Sequence, residues 1–242
     1  MSRRAFTLTA IAAAFVAVVL AIVLWPRAAA DPPPAPPESG ASEPDATEQT
    51  RERPTAVFIG DSYTVGSGTR LVGRGFPGIL GTFREWEVTN LGIAGTGYAT
   101  NRDELWCPAG GCLDYAGVIP QAVEHDPDIV VVSGGRNDLA MNTVDDIEPF
   151  VVDFYTQLRE ALPDARIIVT SPIWDDPPPP RGLLELSDVV EREANRVGAE
   201  YLDLGDPLEG RPDLIASDGL HPNEAGLQII AERIDELLPP AG

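Results

Sequence analysis

From residue 55 onward the chain alternates between strand-like and helix-like patterns of apolar positions. The runs 56–59, 128–133 and 166–170 are short and continuously apolar at their centres, as in strands buried on both faces of a parallel sheet. Residues 86–91 alternate apolar with polar positions and read as a further strand, and 199–204 completes a set of five. Residues 69–83, 115–125, 144–162, 183–197 and 223–238 instead place apolar side chains three or four apart, the spacing of one buried helix face. Gly73, Gly75 and Pro77 interrupt the first of these helices, and Pro149 falls in the first turns of the third. Regular alternation of strand and helix predicts an α/β domain with a parallel sheet covered on both faces.

The first 54 residues follow neither pattern. Arg3 and Arg4 precede 21 uncharged residues, 5–25, which are closed by Pro26 and Arg27. A membrane-spanning helix needs about 20 such residues, whereas signal-peptide cores run to about 7–15. Residues 1–27 are therefore expected to form an uncleaved anchor with the arginines cytoplasmic. A cleaved signal peptide stays open as the alternative, because Ala28-Ala29-Ala30 offers the small residues a signal peptidase uses. In both cases the chain is expected to be exported, on the cell surface with the anchor or secreted without it. Residues 31–54 hold seven prolines and almost no large apolar side chain. They cannot bury enough surface to offset ordering and predict an extended linker with a reach of about 70 Å. The expected division is anchor or signal 1–27, Pro-rich linker 28–54 and one folded domain 55–242.

Composition narrows the chemistry. All 17 basic residues are arginine, which excludes a P-loop lysine, a Schiff-base lysine and a Ser-Lys dyad. From Thr55 onward 32 acidic residues face 12 arginines, a surplus that repels phosphate backbones, so nucleic acid is not an expected partner. Cys107 and Cys112 are the only cysteines. In an exported protein they are expected to close a small disulfide loop, adding about 2 kcal/mol. A plain surface staple is the expected role of this loop; with Trp106 and Tyr115 as its nearest neighbours, the rim of a pocket is the alternative. Two thiols without a nearby histidine pair do not make a zinc site, and neither a metal nor another cofactor is expected.

Three glycine-rich polar turns follow predicted strands: Gly60-Asp61-Ser62-Tyr63-Thr64, the stretch Gly92-Ile93-Ala94-Gly95-Thr96-Gly97, and Gly134-Gly135-Arg136-Asn137-Asp138. Open α/β sheets bind their ligands at that edge, so Ser62 stands where a nucleophile can act. A hydrolytic serine also needs a base, an acid that fixes the tautomer of the base, and donors aimed at the developing oxyanion. His221 is the candidate base. Asp218, three residues earlier, can hold Nδ1 of the imidazole and leave Nε2 free. The backbone N–H groups of Ser62 and Gly95 and the side-chain amide of Asn137 are the candidate oxyanion donors. Tyr63 and Trp174 are the candidate pocket residues, the latter in a loop stiffened by the prolines at 177–180. The other histidine, His125, ends a predicted helix and is expected to serve its terminal carbonyls.

Taken together, Gly60-Asp61-Ser62, the glycine-rich block 90–95, Gly135-Arg136-Asn137-Asp138 and Asp218-Gly219-Leu220-His221-Pro222 resemble the SGNH, or GDSL-type, serine hydrolase family. All four blocks occur in order, with Tyr63 where the family often has leucine. The resemblance implies a flavodoxin-like three-layer α/β sandwich with a five-stranded parallel sheet, a metal-independent mechanism and an acyl-enzyme on Ser62. It also implies that Asp61 and Asp138 are structural supports. An α/β-hydrolase is excluded separately, because no Gly-x-Ser-x-Gly elbow is present. The order serine before histidine excludes a chymotrypsin-like protease. The expected function is an extracytoplasmic esterase acting on short or carbohydrate-linked acyl groups, a monomer whose partners are a small-molecule or glycan ester and, through its N-terminus, the membrane. An acyltransferase to a sugar acceptor and a non-catalytic binding module on the same scaffold are the alternatives.

Overall fold

The computed structural model describes residues 53–70, 75–100, 113–140, 142–175 and 177–240. The expected anchor, the linker up to residue 52, and Cys107 and Cys112 with their expected disulfide lie outside the described residues. Among the described residues no helix is long and apolar enough to cross a membrane.

Five strands, β1 (Thr55–Gly60), β2 (Glu87–Asn90), β3 (Ile129–Ser133), β4 (Arg166–Thr170) and β5 (Glu200–Leu202), pair in parallel in the order β2-β1-β3-β4-β5 among the described residues. The helices are α1 (Ser62–Val65), α2 (Gly75–Arg84), α3 (Tyr115–Glu124), α4 (Val144–Ala161), α5 (Arg181–Arg196) and α6 (Glu224–Leu237). Successive strand side chains point to opposite faces, and this divides the core in two. Val57, Ile59, Val130, Val132, Ile167 and Val169 pack with apolar residues of α3, α4 and α5. Ala56, Phe58, Val131 and Ile168 pack with those of α2 and α6. The result is the expected three-layer sandwich, in which every residue of β3 is buried.

Helix α4 illustrates how the sequence sets an element. Thr143 and Asp146 form a reciprocal capping box at its start, satisfying two N–H groups that lack helical acceptors. Its buried residues Ile147, Val151, Phe154, Tyr155 and Leu158 recur at helical spacing. Phe154 meets Tyr98 and Tyr115 edge to face, with ring centroids 5.5 and 6.0 Å away. Tyr115 is therefore core, 1 % exposed, and not a rim residue: its position at the start of α3 turns the ring inward onto α4.

Helix α2 begins later than the periodicity of residues 69–83 predicts. Residues 71–74 lie outside the described residues, and Gly75 takes φ +51°, a backbone conformation that a right-handed helix does not pass through. Pro77 then sits in the first turn, where a missing N–H has no acceptor to lose. The four-residue helix α1 went unpredicted, being too short to show a period. It is capped by the Asp61 carboxylate and ended by Gly66 at φ +83°. His125 is the C-cap residue of α3, its backbone N–H donating to the Ala122 carbonyl at 3.2 Å.

In this strand order the chain leaves β1 for one side of the sheet and returns to pair β3 on the other. That switch point opens a crevice at the carboxyl edge between β1 and β3. Ser62 follows β1 across Asp61, and Arg136, Asn137 and Asp138 follow β3 across Gly134 and Gly135.

Candidate active site

Ser62 is the first residue of α1, so its own N–H has no helical acceptor. It is 7 % exposed. Before it, Asp61 Oδ1 accepts the Tyr63 N–H at 2.9 Å, which fixes the turn that presents the serine. Burial pushes the Asp61 carboxyl up to about 6, against the lowering effects of the Tyr63 N–H and Arg136. A folded-state value above the unfolded one means that the folded chain holds a proton the unfolded chain releases. Stability from this group is therefore complete below about pH 4 and lost as pH rises through 6. Asp61→Asn keeps the capping oxygen and removes the charge. Relative to the parent chain, it is expected to gain up to about 3 kcal/mol between pH 4 and pH 7. Urea unfolding at both pH values measures this, and a pH-independent difference would refute it.

His221 is held by the loop before α6. Asp218 Oδ2 lies 2.8 Å from His221 Nδ1, and Asp218 Oδ1 accepts the N–H groups of Leu220 and His221, both at 3.0 Å. The backbone N–H and imidazole of His221, together with the Leu220 N–H, bring the Asp218 carboxyl down to about 2, so it remains an anion through the neutral range. The loop is closed by the Ala216 N–H on the His221 carbonyl at 2.7 Å. Asn223 secures its far side: the side-chain oxygen caps α6, and Nδ2 donates to the Asp213 carbonyl at 2.8 Å. Gly68 packs against the loop. At φ +85°, with His221 Cβ only 2.8 Å from where its own Cβ would stand, this position admits only glycine without displacing the histidine.

The third component is the loop after β2. It is tied to the end of β1 by Leu91 N–H to the Phe58 carbonyl at 2.8 Å and Ile93 N–H to the Gly60 carbonyl at 2.9 Å. Gly95 takes φ +80°, and Asn137 Nδ2 donates to the Thr96 carbonyl at 2.9 Å, so the amide and the glycine loop are joined directly. Asp138, fully buried, accepts the N–H groups of Tyr98, Ala99 and Thr100, each at 2.9 Å. Its carboxylate occupies the space that a Cβ on Gly97 would need, 2.2 Å from that position. Gly97→Ala must therefore shift a carboxylate that three backbone bonds hold. A loss of about 1–3 kcal/mol is expected from this overpacking, read from the urea midpoint, and an unchanged midpoint would show that the loop yields freely.

Ser62, Tyr63, Arg136, Asn137, Trp174 and Leu220 line one cavity of about 550 Å³. The structure thus brings Ser62, Asn137 and both expected pocket residues to a single space; His221 adjoins Leu220 in the chain, and His221, Asp218 and Gly95 are not among the residues that line it. Among the described residues no hydrogen bond joins Ser62 to His221; bonds of this kind commonly tighten only when substrate binds. Tyr63 lines the cavity from a nearly buried position. It is 3 % exposed, and its ring stands edge-on to the His221 imidazole with centroids 6.1 Å apart. The sequence reading gave no role to Arg136 or Gly68, nor to the apolar wall of Leu139, Ala140 and Val144. Arg136 is the neighbour of Asn137; Leu139 and Ala140 belong to a 3-10 turn, Arg136–Ala140, which has no periodicity to read, and Val144 opens α4.

Residues 58–229 match the GDSL-like Lipase/Acylhydrolase family. The GDSL lipase Rv0518 of Mycobacterium tuberculosis is 32% identical over 195 residues, spanning 78% of this chain and 82% of that protein. Among solved structures, the Mycobacterium smegmatis aryl esterase superposes with a TM-score of 0.54 at 22% identity, covering 76% of this chain and 100% of that one. Est24, a carbohydrate acetylesterase from Sinorhizobium meliloti, superposes with a TM-score of 0.52 at 18% identity, covering 77% and 100%.

Proposed function

Because the chain belongs to the GDSL-like lipase/acylhydrolase family and is accordingly a serine ester hydrolase, we propose that it cleaves carboxylic esters through an acyl-enzyme on Ser62. In this reading His221 Nε2 takes the Ser62 proton as Oγ attacks the ester carbonyl, and returns it to the departing alcohol oxygen. Water then attacks the acyl-serine, again losing a proton to His221, and the acid leaves with Ser62 restored. Asp218 keeps the imidazole in the tautomer with Nδ1 protonated and offsets its positive charge. The N–H groups of Ser62 and Gly95 and the second N–H of the Asn137 amide receive the oxyanion. The observation that carries this reading is the Asp218–His221 pair at 2.8 Å, suspended beside the cavity that Ser62 lines.

The substrate in this proposal joins a short acyl group to a polar alcohol such as a sugar. Supporting it, Leu139, Ala140 and Val144 give the cavity an apolar wall, while Asn142, Thr143 and Glu185 give it a polar one. The fold is also that of a carbohydrate acetylesterase. Export through residues 1–27 belongs to the same proposal, and a mature N-terminus at Asp31 would replace the anchor with a cleaved signal. The chemical test exposes the full chain to an alkyl p-nitrophenyl phosphonate and maps the adduct by mass spectrometry. The adduct is expected on Ser62, and a stoichiometric adduct elsewhere would overturn the assignment. A panel of p-nitrophenyl esters and O-acetylated polysaccharides then sets acyl length and alcohol.

A further inference from the structure

Arg136 has no part in the steps above, yet it is among the most constrained side chains in the protein. It is charged but only 8 % exposed. Its guanidinium carbon lies 4.8 Å from the centre of the Tyr63 ring and 4.4 Å from the ring of Trp174, so the planar head is held between two aromatic groups. Nη1 donates to the Tyr63 hydroxyl, and Nη2 is 3.5 Å from Asp175 Oδ2. Lysine could not reproduce this combination of stacking and forked donation.

The direction of these bonds follows from chemistry. Arginine can only donate, so the Tyr63 oxygen accepts from Arg136 and must send its own proton elsewhere. That proton goes to the Leu220 carbonyl, 2.6 Å away. Burial, foremost, raises the Tyr63 phenol well above its usual range, which keeps it a neutral donor. Leu220 precedes His221, and Tyr63 follows Ser62. One hydrogen bond therefore ties the helix carrying the serine to the loop carrying the histidine, and Arg136 orients it. Behind Arg136, Trp174 and Asp175 belong to the loop after β4, so a continuous line runs from one cavity wall to the imidazole.

We propose that Arg136 is a positioning residue for ester hydrolysis: held by Trp174 and Asp175, it directs the Tyr63 hydroxyl onto the Leu220 carbonyl and thereby sets the spacing of His221 from Ser62. The inference rests on the assignment of Ser62 and His221 made above.

The test is a mutant cycle on the full chain in detergent, with kcat and KM for p-nitrophenyl acetate and thermal unfolding as readouts. Tyr63→Phe keeps the ring and removes the donor. It is expected to lower kcat about tenfold, within the reach of one hydrogen bond, with KM within about twofold. Arg136→Met combined with Asp175→Asn removes the buried pair without stranding a charge and is expected to lower kcat to the same level. The triple variant is expected to be no slower than either, because Arg136 acts through Tyr63. Multiplying effects, or a change confined to KM, would overturn the proposal: the first makes the groups independent, the second makes Arg136 a substrate ligand. If the neutral pair fails to fold, Tyr63→Phe against Asp175→Asn alone supports the same comparison, with the same two outcomes against it. Full activity in Ser62→Ala would instead defeat the underlying assignment, whatever the cycle shows.

Discussion

Ser62→Ala is expected to lower kcat for p-nitrophenyl acetate by about ten-thousand-fold or more, and His221→Ala by a similar factor. The two effects should not multiply. A serine without its base is not deprotonated and a base without its serine has nothing to activate, so the double variant is expected to match the slower single one. Activity above water that persists in all three would come from the oxyanion donors and substrate positioning. Ser62→Ala removes one hydroxyl from a small side chain, and Asp61, Tyr63 and Gly66 hold the turn through backbone groups and the Asp61 carboxylate, so its melting temperature should stay that of the parent. Steady-state kinetics beside a thermal melt measure both, and a variant that melts normally yet turns over at the parent rate would rule Ser62 out as nucleophile.

The legible part of this protein is the part governed by short-range rules. Strands β1, β3 and β4 are continuous apolar runs because both faces of the sheet are covered, and the structure places them within a residue or so of the sequence reading. The polar turns after β1 and β3 carry Ser62 and Asn137 because the switch point of the sheet lies between those strands. Asp218 and His221 were readable as a pair since three residues of turn suffice to bring carboxylate to imidazole. What was not legible is either too short to show a period or set by contacts far apart in sequence. The short helix α1 is set by the Asp61 cap and by Gly66 at positive φ, and the 3-10 turn after β3 follows Gly134 and Gly135, both at positive φ. Tyr63 was expected as a pocket residue and does line the cavity, but its near-complete burial was not part of that expectation. Its burial arises from Arg136, 73 residues on, and Leu220, 157 residues on, neither of which a local pattern can anticipate.

Asn137→Ala is expected to lower kcat by about a hundred- to a thousand-fold while changing KM little, the usual cost of one oxyanion donor. The argument starts from the geometry of the amide. One N–H of Asn137 Nδ2 is engaged by the Thr96 carbonyl, which holds the group in a single orientation before any substrate arrives, and in the proposed mechanism the other N–H receives the oxyanion. Beneath it, Asp138 gathers three consecutive N–H groups from residues 98–100, so the glycine loop that holds Gly95, the other proposed donor, is anchored through the residue after Asn137. Burial raises the Asp138 carboxyl while the N–H groups of Ala99, Tyr98 and Thr100 oppose the shift, as suits a group that supports the loop and stays outside proton transfer. Donors fixed in this way act mainly when charge develops on the carbonyl oxygen, which is why the loss should fall on kcat and not on KM. Asn137→Asp separates this from a purely structural effect: it replaces the donor with an anion facing the oxyanion, and should be slower than Asn137→Ala. An Asp variant as fast as the Ala variant, or an Ala variant altered only in KM, would remove Asn137 from the oxyanion site.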